Sequence, residues 1–78
     1  MQFDYSKLRG RIVEKFGTMS VFAKAMGWSL RTMSLKMTNA RFWKQSDIEK
    51  AINLLEIDAA DIPIYFFVRK VQSAELSE

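Results

Sequence analysis

Apolar residues at Leu8, Ile12 and Phe16 recur every four positions in "YSKLRGRIVEKF", which is the spacing of one face of an α-helix. The pattern predicts a first amphipathic helix there, weakened at Gly10 by about 1 kcal/mol relative to alanine. Gly17 follows as a C-terminal stop and Thr18 as an N-cap. Glycine reaches the left-handed backbone just past a helix end, and a threonine oxygen can accept from a free first-turn amide. A second helix is predicted from about Met19 to Met26, with Phe22 and Met26 inward and Ala23 small enough for a close helix crossing. Gly27 ends it and Trp28 follows as a buried plug. Ser29 then caps a third helix through Met37, whose inner face is Met33 and Met37.

"TNARFWKQ" has no sustained period and reads as a loop with an aromatic anchor. Ser46 with Glu49 has the spacing of a capping box, and Ile48, Ile52 and Leu55 form the stripe of a fourth helix. Asp58 can cap a short fifth helix through "AADIPIYFF", with Pro63 tolerated in its first turn or as a bend. "FFVRKVQ" has strand-like composition and predicts a short C-terminal strand, followed by a disordered tail over about 73–78. Tyr65, Phe66 and Phe67 are too apolar to be left bare, so they close the monomer core or form part of a dimer contact.

With 78 residues, 49% of them hydrophobic and 13% aromatic, the chain is expected to be one globular domain over 1–78 with a single core. Cysteine and histidine are both absent. That removes disulfides, thiolate metal sites and the usual general bases, so an enzyme, a metal centre and a cofactor are not expected. An enzyme would have only scattered carboxylates such as Asp58 and Asp61 behind it, and these read as helix-cap residues. No apolar run has signal-peptide length or approaches the roughly 20 residues needed to cross a bilayer, so a soluble cytoplasmic protein is expected.

Charge is unevenly divided. Residues 1–45 hold nine basic and two acidic residues, a net +7, whereas residues 46–78 hold three basic and seven acidic, a net −4. Such an asymmetry suggests that the first half meets an anion. Two helices of about eight residues joined through Gly27-Trp28-Ser29 also have the spacing of a helix-turn-helix, whose second helix enters the major groove of DNA.

The stretch "TMSVFAKAMGWSLRTMSLKMTNAR" resembles the Cro and lambda-type phage repressor family of helix-turn-helix proteins. The family pattern falls on Thr18, Ala23, Gly27, Trp28, Ser29 and Met33. The wider chain, from "FDYSKLRGRIVEKFG" to "WKQSDIEKAINLLEIDAADIPIYFF", is similar to small phage-encoded Cro-like regulators. The resemblance implies an all-α, five-helix, lambda-repressor-like domain with its helix-turn-helix at the second and third helices. It further implies a phage or prophage repressor that occupies double-stranded operator DNA as a homodimer, in the cytoplasm of a bacterial host and on its nucleoid. Met19 departs from the pattern, standing where many relatives have glutamine, and Leu30 and Leu35 stand where polar readers are commoner. These greasy positions motivate a rival reading, in which a helix-turn-helix-shaped protein modulates a phage repressor by protein contact.

On the third helix, Arg31, Thr32, Ser34 and Leu35 are the candidate base readers. The Arg31 guanidinium can donate a bidentate pair to guanine, and Leu35 can meet a thymine methyl. Ser29, Lys36, Asn39, Arg41 and Lys44 are the candidate phosphate contacts, which supply affinity rather than sequence choice. Phe42-Trp43, lying among those charges, also raises base stacking on single strands. Lys7, Arg9 and Arg11 offer further backbone contacts from the first helix.

Overall fold

The computed structural model describes residues 2–70. Five α-helices follow one another: α1 Ser6–Phe16, α2 Met19–Met26, α3 Leu30–Met37, α4 Gln45–Leu55 and α5 Ile62–Phe66, the last preceded by a 3-10 turn over Ala59–Asp61. The all-α architecture agrees with the reading of the hydrophobic pattern. The helices α1, α2 and α4 pack on one another, α3 closes on α2, and α5 returns against α1. Leu8, Ile12, Phe22, Met33, Leu55 and Phe66 are the largest fully buried side chains. No helix among the described residues is long and apolar enough to cross a membrane.

The turns form where the sequence placed them, for backbone reasons. Gly17 has φ 84° and Gly27 has φ 81°, values that side-chain-bearing residues rarely adopt. At Gly27 the amide of Trp28 donates to the Ala23 carbonyl at 2.8 Å and that of Gly27 to Lys24 at 3.0 Å. This paired pattern satisfies the last carbonyls of α2 and aims the chain into α3. The Thr18 hydroxyl accepts from Val21 N at 3.2 Å, and the Ser29 hydroxyl from Thr32 N at 3.1 Å, so both predicted caps are present.

Three expectations are corrected. Helix α4 starts one residue before Ser46, with Lys44 at the N-cap position, and the cap bond is the Lys44 amide donating to Asp47 Oδ2 at 2.9 Å. The Ser46–Glu49 box does not form, because the start is set by the carboxylate that also holds Lys36. Trp28 is half-buried rather than a plug, its ring edge-on to Trp43 at 5.4 Å. The C-terminal strand is reduced to one antiparallel bridge between Phe3 and Arg69, flanked by the amide of Asp4 donating to Val68 and that of Lys70 to Gln2. Val71, Gln72 and the tail over 73–78 lie outside the described residues.

The aromatic cluster divides by face. Phe66 is buried against Trp43, ring centroids 5.1 Å apart, while Phe67 is half-exposed and meets Phe3 edge-on at 5.7 Å. One ring therefore closes the core and the next covers the N-terminal segment.

Candidate functional site

Which cations are free decides what the hairpin can bind. Among the described residues the ion pairs are Arg11–Glu14, Lys15–Glu56 and Lys36–Asp47. Of the first-half cations this leaves Lys7, Arg9, Lys24, Arg31, Arg41 and Lys44, all exposed. Arg11 is further committed: Nε donates to the Leu55 carbonyl at 2.9 Å and a terminal nitrogen to the Glu56 carbonyl at 3.1 Å. It closes the C-terminal end of α4, where bare carbonyls favour a cation, and is not available to a DNA backbone.

Two of the five expected phosphate contacts are turned inward. Lys36 is buried at 6% exposure, its ammonium donating to Asp47 Oδ2 at 2.6 Å and to the Phe42 carbonyl at 3.1 Å. The same ammonium lies 4.7 Å from the centre of the Trp28 ring, a cation–π contact strengthened by desolvation. Burial pushes the Asp47 carboxyl up, but the Lys36 hydrogen bond, the Lys44 amide and the charges of both lysines outweigh it, so the group ends below its ordinary value. Asn39 is the second. Its Oδ1 accepts from Phe3 N at 2.8 Å and its Nδ2 donates to Phe3 O at 2.9 Å, with the residue itself at φ 70°. Asparagine tolerates that left-handed conformation better than most side chains. Its amide is a latch between the loop and the N-terminal segment.

The remaining candidates are on the surface. Arg31, Ser34, Arg41 and Lys44 are exposed, and Thr32 and Leu35 are half-buried. Ser29 accepts from Thr32 N and donates to Thr32 Oγ1 at 3.1 Å. One hydroxyl proton is thus spent within the Ser29–Thr32 pair and one is left free. Leu30 is 55% exposed and Val21 50%. Leu30 joins Met19, Met33, Met37, Ser34 and Arg9 around a shallow cleft of about 250 Å³. The hairpin face therefore carries an apolar strip with Arg9 of α1 at its border.

The locked residues carried signals in the sequence. Lys36 falls three residues after Met33, on the inward side of α3, and Arg11 falls three after Leu8 in α1. Asn39 follows a helix end, where a left-handed residue is common. In each case the partner is on another element, Asp47, Leu55 or Phe3, and local periodicity does not name it.

The family model described as "Protein of unknown function (DUF739)" matches residues 1–69. Among curated proteins none matches. A solved structure, the solution structure of the modulator of repression (MOR) of the temperate bacteriophage TP901-1 from Lactococcus lactis, is 51% identical with a TM-score of 0.78. The match covers 92% of this chain and 97% of that one.

Proposed function

The chain belongs to the DUF739 family, and on that premise we propose that it is a phage regulatory protein that modulates repression by binding a repressor protein. The observation that carries this reading is the 51% identity to a phage modulator of repression, extending over nearly the whole of both chains. The surface chemistry supports it. A half-exposed Leu30 lining a cleft with Met19 gains by leaving water against a protein partner. Arg9 at its border suits a carboxylate on that partner. Internal use of Lys36 and Asn39 leaves fewer groups for gripping a DNA backbone than the sequence pattern promised. A repressor held on this face would be diverted from its operator by mass action, without catalysis or cofactor.

The test is calorimetric titration of the purified chain with the repressor encoded by the same phage genome. Binding is expected, and Leu30→Lys should weaken it about tenfold, equivalent to roughly 1.4 kcal/mol. Absence of any complex between the wild-type chain and that repressor would overturn the reading.

One observation favours a second reading, operator binding: Arg31 is exposed on a Ser29-capped helix with no ion-pair partner among the described residues. It would bind duplex DNA from the flanks of its own gene with a steep salt dependence, on the order of −4 to −8 in the logarithmic slope for several phosphate contacts. Arg31→Ala would relax sequence preference and Lys44→Ala would weaken all duplexes alike. Failure to shift any such duplex at about 50 mM salt would remove it.

A further inference from the structure

Beside the hairpin, the loop between α3 and α4 displays a feature outside the Leu30 cleft. Phe42 is 88% exposed, far more than any other large apolar side chain among the described residues. The adjacent Trp43 is packed against Tyr5, Trp28 and Phe66, so the loop is anchored by one aromatic and presents the other. Phe42 stands at the rim of an open groove of about 590 Å³ shared with Trp28, Thr32, Arg41 and Lys44 and with the Lys36–Asp47 pair.

Three properties of the groove select its ligand. The free charge is of one sign, because the Asp47 carboxylate is consumed by the Lys36 ammonium and the Lys44 amide while the Arg41 and Lys44 side chains have no ion-pair partner among the described residues. The Thr32 hydroxyl lines the groove, and its pairing with Ser29 uses one hydroxyl proton of the two, which leaves a donor for a ligand. The Phe42 ring is uncovered, and Trp28 supplies a second aromatic wall stiffened by the ammonium 4.7 Å from its centre. Cations bind any polyanion. A bare ring between cations, with a spare hydroxyl donor, matches a polymer that alternates planar bases with phosphates. A duplex keeps its bases stacked inside and offers the ring nothing, so the match is to a single strand.

We propose that this groove binds a short segment of single-stranded nucleic acid, one base stacked on Phe42 and the neighbouring phosphates held by Arg41, Lys44 and the Thr32 hydroxyl. The site is separate from the Leu30 face, so it stands or falls independently of repressor binding. It would bring the chain to unpaired nucleic acid while its hairpin remains open to a protein.

The experiment is fluorescence anisotropy of the full chain with a labelled oligothymidylate of about ten nucleotides, within the range of known single-strand sites. The same sequence as a duplex and a labelled polyglutamate peptide serve as the other arms. The wild-type chain should bind the single strand more tightly than either alternative. Phe42→Ala should weaken that binding about tenfold and Phe42→Tyr should retain it, as expected for stacking. Arg41→Ala and Lys44→Ala should each reduce the logarithmic salt slope by about 0.7. Far-UV circular dichroism should be the same for every variant, since these side chains are exposed. Equal affinity of Phe42→Ala and wild type, preference for the duplex or the acidic peptide, or no single-strand binding at about 50 mM salt would each overturn the proposal.

Discussion

Arg31 and Lys36 lie on the same eight-residue helix and have opposite fates. Arg31 is exposed near the N-terminus of α3, while Lys36, one turn and a half further on, is 6% exposed and joined to a carboxylate, a carbonyl and an indole. The two ends of α3 thus do different work. Its first turn is a surface with free chemistry, and its last turn is the joint by which the hairpin is fastened to α4. A basic residue on a recognition-like helix is not evidence of nucleic-acid contact until its neighbours across the fold are known.

The last turn of α3 is loosened most when the buried cation loses its partner. Asp47→Ala should cost about 3–5 kcal/mol in denaturant unfolding, because an ammonium is left buried with only a carbonyl and a ring face. Lys36→Met should cost less, since the unbranched methionine side chain fills similar space and Asp47 keeps the Lys44 amide. Equal losses would mean that the pair contributes by packing alone. The same joint should be acid-labile. The folded Asp47 carboxyl lies below its ordinary value of 3.8, so its stabilisation is complete above that pH and is lost as pH falls through the lower folded value. Urea unfolding across that range should fall more steeply for the wild type than for Lys36→Met.

The latch comes next in size. Asn39→Ala removes two hydrogen bonds, each of about 1 kcal/mol, and places alanine at a left-handed backbone, so a loss of about 2–3 kcal/mol is expected by the same measurement. At the start of α3, Ser29→Ala should cost about 1 kcal/mol through the lost cap. Smallest of all, Arg31→Ala should change stability by less than about 0.5 kcal/mol. A larger loss there would erase the distinction between the two ends.

Much of the fold was legible in the chain. Helices α2 and α3 have the limits that Gly17, Thr18, Gly27 and Ser29 implied, because those residues act on the backbone within a few positions of themselves. The inward placement of Leu8, Ile12, Phe22 and Met33 followed from the same local period. Pairings at long separation were not legible. Lys36 reaches Asp47 across 11 residues, Asn39 reaches Phe3 across 36, and Arg11 reaches Leu55 across 44. Each of these side chains looked like a solvated or DNA-facing group because its demand for a partner is met by another element. Ser46 and Glu49 failed for a related reason: a correct capping spacing lost to Asp47, whose carboxylate serves the N-cap and Lys36 together.

The Asn39 amide, holding both the N–H and the C=O of Phe3, also fastens a segment that has little else to hold it. The contacts that make the α2–α3 corner join neighbours along the chain and can form within the first moments of collapse, whereas the latch must close a loop of 36 residues before it gains anything. Residues 2–4, held by that amide and by one isolated bridge to Arg69, are expected to lift away before the helices part. Their amides should exchange with solvent through partial openings while those of Phe22 and Leu55 wait for global unfolding.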